Sequence, residues 1–146
     1  MAELEAEGGT RFDLAAHLTY LHAELAGAQQ APLSARKALL VAMLIDAYVD
    51  RLFAAQSEAD DVLAFRAGLA AGSPALGLVF ALAAGRARLV TEAVEVPVAA
   101  YGALSVQDFM VSLYNGHTVQ RVLLVDEAEA RHDAHRVLAE AAAALG

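Results

Sequence analysis

The sequence contains no cysteine and no tryptophan, and each absence removes a class of chemistry or construction. Without cysteine there can be no disulfide, thiolate metal site or thiol nucleophile. With aromatics at 6% of residues, a core must be filled by Leu, Val and Ala through close helix approach. Basic residues are also few: ten Lys and Arg stand against 18 Asp and Glu, a formal charge of -8. Such a chain is repelled by nucleic-acid phosphates and by anionic lipid, so neither nucleic acid nor a membrane is an expected partner. The motifs GxxxxGK[ST], GxGxxG and GxSxG are missing, which excludes P-loop hydrolysis.

What is abundant is alanine and leucine, within a composition that is 58% hydrophobic and 19% charged. Both favour helix, and 146 residues suit one domain. The expected fold is mainly α with a small β element (α+β), a bundle of about five to six helices with two or three short strands near residues 89–98 and 118–125. Residues 1–9 (MAELEAEGG) read as a flexible acidic tail and residues 10–146 as a single globular domain. An acidic start without an apolar stretch predicts no secretory signal, with the cytoplasm as the compartment. Residues 67–85 carry no charge and approach the ~20 residues a bilayer needs. Gly72, Ser73 and Pro74 interrupt them as a helix start, so two short helices are expected and no span.

Along the chain, Leu14, Leu18, Leu21 and Leu25 predict a first helix from about Thr10–Asp13 to Gly27, followed by a polar linker over residues 28–32. A second helix is expected from Ser34 to Phe53 or Ala55, apolar nearly all round. Ser57 and Asp60 form a near-capping box for a third helix to about Ala71, and Ser73-Pro74 opens a fourth that Gly85 closes. A strand is expected near Val94–Val98. The block Ser105–Val125 reads two ways. Asn115-Gly116 is a hairpin signal, but Val106, Phe109, Met110 and Leu113 have helical spacing, and the helix reading is preferred. Thr118–Val125 is then a strand, parallel to the first if that helix makes a right-handed crossover. A last helix is expected over Glu127–Leu145, with Ala134, Leu138, Ala141 and Leu145 inward.

The costliest charges to bury are Asp46 and Asp50, one turn apart in ALLVAMLIDAYVDRLF and therefore on one side of the helix. The segment IDAYVDR resembles, over seven residues, the DxxxD motif with which squalene and phytoene synthases hold magnesium and diphosphate. Those enzymes have a second acidic motif and a longer chain, where this sequence offers only Asp60-Asp61, so that assignment is set aside. At about 100° per residue, Val41, Ile45, Val49 and Leu52 share one side of the helix. The two acids lie on a second apolar face with Leu39, Met43 and Phe53. Charges in such surroundings are paired, and Arg51, Arg66, Arg86 and Arg88 are the candidate partners.

Three further groups carry candidate chemistry. Glu129, His132 and His135 give a single ExxH on the expected last helix. The di-iron carboxylate pattern needs two such motifs, so no metal is assigned and His132 and His135 are surface candidates only. His17 and His22 flank the leucine stripe as boundary histidines. Tyr101, Asp108, Tyr114, Asn115, His117 and Arg121 gather near a turn, with His117 a candidate base or ligand contact. Turn chemistry explains the same residues through Asn115 and Gly116 at positive φ, Tyr114 packing and Asp108 capping.

Two functions fit. One is a non-enzymatic interaction, structural or regulatory protein that self-associates through apolar helix faces, the second helix above all, with an unidentified protein partner as a further expectation. The other is a small-molecule-binding protein or small enzyme. Its pocket, between helices and sheet, would be lined by Asp46, Asp50, arginines and His117. No cofactor is expected in either case.

Overall fold

Asp13 opens the first helix, α1 (Leu14–Gln30), by accepting from the Ala16 N–H at 2.8 Å, a cap that contributes about 1 kcal/mol. The structure is a computed structural model and describes residues 11–56 and 61–146. The expected tail and the Ser57–Asp60 capping start lie outside the described residues. α1 runs past Gly27 to Gln30, because one helical glycine costs only about 1 kcal/mol; the chain then turns through Pro32. Ser34 accepts from the Lys37 N–H at 3.2 Å and starts α2 (Ala35–Gln56). Asp61 caps α3 (Val62–Gly72). Ser73 then ends α3 and caps α4 (Pro74–Ala83), with Pro74 in the first turn, as the Ser-Pro pair foretold.

α1, α2, α4 and α6 (Ala134–Leu145) enclose the core. Leu21, Ile45, Leu76, Val79 and Leu138 are among its large, fully buried members, each contributing roughly 1.5–3 kcal/mol by leaving water. Small residues let the helices approach. A Cβ on Gly77 would lie 3.3 Å from the Cβ of Ala70, so α3 and α4 meet where α4 has no side chain. No helix among the described residues is long and apolar enough to cross a membrane.

The α+β expectation holds: beside the helices stands one sheet of order β1 (Arg88–Glu95), β2 (Thr118–Val125), β3 (Arg131–Asp133), with β2 central. The first strand begins earlier than expected and stops before Pro97, after which a 3-10 turn covers Val98–Ala103. β1 and β2 pair antiparallel, from Arg88 opposite Val125 to Glu95 opposite Thr118. The parallel expectation was wrong for a physical reason. The ladder continues past the strand end, with the Val96 N–H bonded to the His117 carbonyl at 2.7 Å, so β1 and β2 form one long hairpin. The 3-10 turn and helix α5 (Val106–Tyr114) are its enlarged loop, not a crossover. Helix then strand is nonetheless the arrangement found over Ser105–Val125.

The last helix is also shorter than expected. Asp126 accepts from the N–H groups of Ala128 and Ala130, Glu129 turns to φ 64°, and Arg131–Asp133 pair with β2. Asp133 then caps α6. Helix propensity in EAEARHD lost to a capped turn and a strand pairing. Ala134, Leu138 and Ala141 do face inward.

Candidate functional site

Arg66 of α3 joins both candidate acids of α2. Its guanidinium donates to Asp46 Oδ1 at 2.7 Å, to the Asp46 carbonyl at 3.0 Å and to Asp50 Oδ1 at 2.8 Å, and it lies 4.7 Å from the centre of the Phe80 ring. Burial pulls the Arg66 pKa down, but the hydrogen bonds it donates to Asp50 and Asp46 outweigh it and leave it above its ordinary value. A guanidinium therefore stands between the carboxylates where a cation would. Asp46, Arg66 and Arg86 line a cleft of about 480 Å³ between α3 and α4, floored by alanines and Gly77. His117 is not among its lining residues. Arg121 lines a separate cleft of about 410 Å³ beside the α1–α2 turn, so the residues expected in one pocket are divided.

The remaining candidates are engaged elsewhere. Arg51 donates to the Phe12 carbonyl at 2.5 Å and to Nδ1 of His17 at 3.2 Å, while Nε2–H of His17 donates to the Leu44 carbonyl at 2.9 Å. Both ring nitrogens are thus satisfied in the neutral form. His17 is 2% exposed, deeper than a boundary position, whereas exposed His22 reaches the Gly146 carbonyl. Arg86 pairs with Glu127, and Arg88 with Glu129 at 3.0 Å. The Glu129 hydrogen bond raises the Arg88 pKa, and Arg88 lowers that of Glu129. Arg131 holds Glu92 at 3.1 Å. By register Arg88, Val125 and Arg131 share a face, so the arginine stems help to bury Val125.

The expected ExxH does not form on one helix. Glu129 sits in the turn, His132 lies on β3 and His135 in the first turn of α6. His132 donates to Asp126 at 2.9 Å and His135 to the Pro32 carbonyl at 2.8 Å, which leaves the buried Nδ1 of His135 without a partner. Around the other turn, Gly116 and His117, not Asn115, take positive φ, 64° and 67°. That conformation costs His117 about 1–3 kcal/mol. The ladder bond to Val96, its own N–H to the Ser112 carbonyl at 2.8 Å, and a hydrogen bond to the Tyr101 hydroxyl hold it. Asp108 meets Arg121 at 3.2 Å. Tyr114 projects into solvent and does not pack.

Among the described residues, two helix faces carry clusters of exposed apolar side chains, whereas Leu63, Val98 and Leu33 are exposed elsewhere. On α2, opposite the buried Val41, Ile45 and Val49, Leu39, Leu40 and Met43 are 39%, 40% and 55% exposed. Arg36 and Lys37 precede them and share their groove with Glu24. Among the described residues these two side chains are the cations without a partner. On α5, Val106, Phe109, Met110, Leu113 and Tyr114 follow the spacing of a core-facing stripe, yet all are exposed. The helix rests on the sheet through Val111 and the fully buried Ser112, whose hydroxyl donates to the Phe109 carbonyl at 2.8 Å.

Sequence reasoning placed Leu39 and Met43 on a second apolar face but missed Arg36 and Lys37, and it missed the direction in which α5 points. The signal for the first was available: adjacent cations just inside the helix start, with no acid at i+3 or i+4 to hold them. Periodicity defines a stripe without saying which side of it is covered. No protein-family model, curated protein or solved structure matches the chain.

Proposed function

We propose that this protein is a non-enzymatic interaction protein that self-associates through an apolar helix face. The observation that carries the reading is the outward side of α2, where Leu39, Leu40 and Met43 stand in solvent on a helix whose other side is core. Water removes itself from such surface at roughly 25 cal/mol per Å² of apolar area, and contiguous patches of this kind mark association sites. The polar groups support the reading in a second way. Asp46, Asp50, Arg66, Arg86, Arg88 and Arg121 are engaged in ion pairs, and among the described residues no nucleophile, base and oxyanion donor are gathered at one point.

Sedimentation velocity across the micromolar range tests this. The natural protein is expected to sediment with an oligomer's mass, and Met43→Glu to shift it to monomer without lowering the monomer's helicity. A natural protein that stays monomeric throughout would refute the reading.

A further inference from the structure

We infer that α2 pairs with α2 of a second copy, antiparallel, about a two-fold axis passing beside Met43. This rests on the self-association reading and specifies its geometry. Arg36, Leu40, Met43, Ala47, Asp50 and Ala54 are all exposed and follow one another in alternating steps of four and three residues. They therefore form one line along the helix, as the seam of a helix pair does.

The line is basic at one end and acidic at the other. At its start, Arg36 and Lys37 outweigh the neighbouring Glu24. Further along, Asp46 and Asp50 share one cation among the described residues, Arg66, which leaves an excess negative charge, and Asp50 is the more exposed of the two acids. An axis at position 43 sets Arg36 opposite Asp50, Leu40 opposite Asp46, Leu39 opposite Ala47, and Met43 against its own copy. A two-fold repeats each contact, so the arrangement brings the basic end of each helix to the acidic end of the other. A parallel pair would bring like ends together. Arg36 and Asp50 lie about 21 Å apart along the helix, well beyond the screening length of about 8 Å at physiological salt. The two ends act as separate charges and select the orientation. Nothing comparable marks α5, where the first-turn Asp108 is already paired with Arg121 and the exposed stripe has no charge at either end to choose a partner.

Charge exchange between two variants tests the pairing. Arg36→Glu with Lys37→Glu gives a protein acidic at both ends of the seam, and Asp50→Lys gives one basic at both, with Asp46 still on Arg66. Like charges opposed across an interface are costly, so each variant alone is expected to dimerise roughly 100-fold more weakly than the natural protein. Mixed in equal amounts, the two are expected to form a dimer holding one copy of each by native mass spectrometry. Circular dichroism establishes that each variant is folded, and Met43→Glu, which sets two acids together on the axis, serves if Asp50→Lys is not. Variants that each assemble as tightly as the natural protein, or folded variants whose mixture stays monomeric, would overturn the pairing. Oligomerisation of the natural protein in that case would leave self-association standing, whereas a monomeric natural protein would remove both.

Discussion

Helices α2 and α5 both turn large apolar side chains to solvent, but from different positions in the fold. α2 is central: Ala38, Val41, Ala42, Ile45, Tyr48 and Val49 are buried on its inner side, and its outer side is what the core leaves over. α5 belongs to the loop of the β1–β2 hairpin, has Ser112 as its buried residue, and stands its stripe outward. Apolar exposure alone tells only that a surface is unpartnered. The charges that bracket it tell what would fit, and α2 has them where α5 does not.

The comparison can be broken most forcefully on the two sides of α2. Ile45→Ala is expected to cost about 2–5 kcal/mol in chemical denaturation, through lost burial and the cavity left behind. Met43→Ala, two residues away, is expected to leave the stability of the monomer nearly unchanged; equal losses would contradict the division of this helix into a core side and a free side. Next in size is Arg66→Ala, expected to cost about 1–3 kcal/mol because it strands the partly buried Asp46 carboxylate. Arg66→Lys is expected to recover only part of that, since an ammonium cannot reproduce the guanidinium fork over two carboxylates and a carbonyl.

On α5, Val106→Ser and Leu113→Ser, at 82% and 53% exposure, are expected to change stability by less than about 0.5 kcal/mol each. A larger loss in thermal or chemical unfolding would mean that α5 packs on something its exposure hides. The smallest effect belongs to the turn after β2. The hydrogen bond from His132 and the backbone N–H groups of Ala130 and Ala128 lower the Asp126 pKa. A lowered carboxyl pKa stabilises the fold above the unfolded value of about 3.9 and loses that contribution as pH falls through the folded value. Asp126→Asn is therefore expected to flatten the acid arm of the stability profile and to leave the neutral-to-basic side with the same slope.

How much of this was legible in the sequence varied with how local the cause was. Ser73-Pro74, Ser34 and the Leu21–Leu25 stripe act within a turn or two, and α1, α2, α4 and the end of α3 followed from them, whereas the start of α3 at Val62, under Asp61, did not. Asp46 and Asp50 signalled a cation partner because their surroundings are apolar, though choosing Arg66 among four arginines required the α3–α2 contact. The failures depended on residues far apart. The antiparallel hairpin is set by Val96 and His117 across twenty intervening residues, and the loss of helix before Ala134 depends on β2 offering an edge to Arg131–Asp133. The outward stripe of α5 was unreadable for the same reason: which face a sheet covers is decided by the sheet.

The absence of cysteine makes the central claim directly testable, because a single introduced thiol has no competitor. Met43→Cys and Leu113→Cys proteins, exposed separately to mild oxidation, report whether α2 or α5 meets its own copy. The α2 pairing requires that Met43→Cys convert to a covalent dimer while Leu113→Cys stays monomeric under the same conditions. Cross-linking at position 113 with none at position 43 would contradict it.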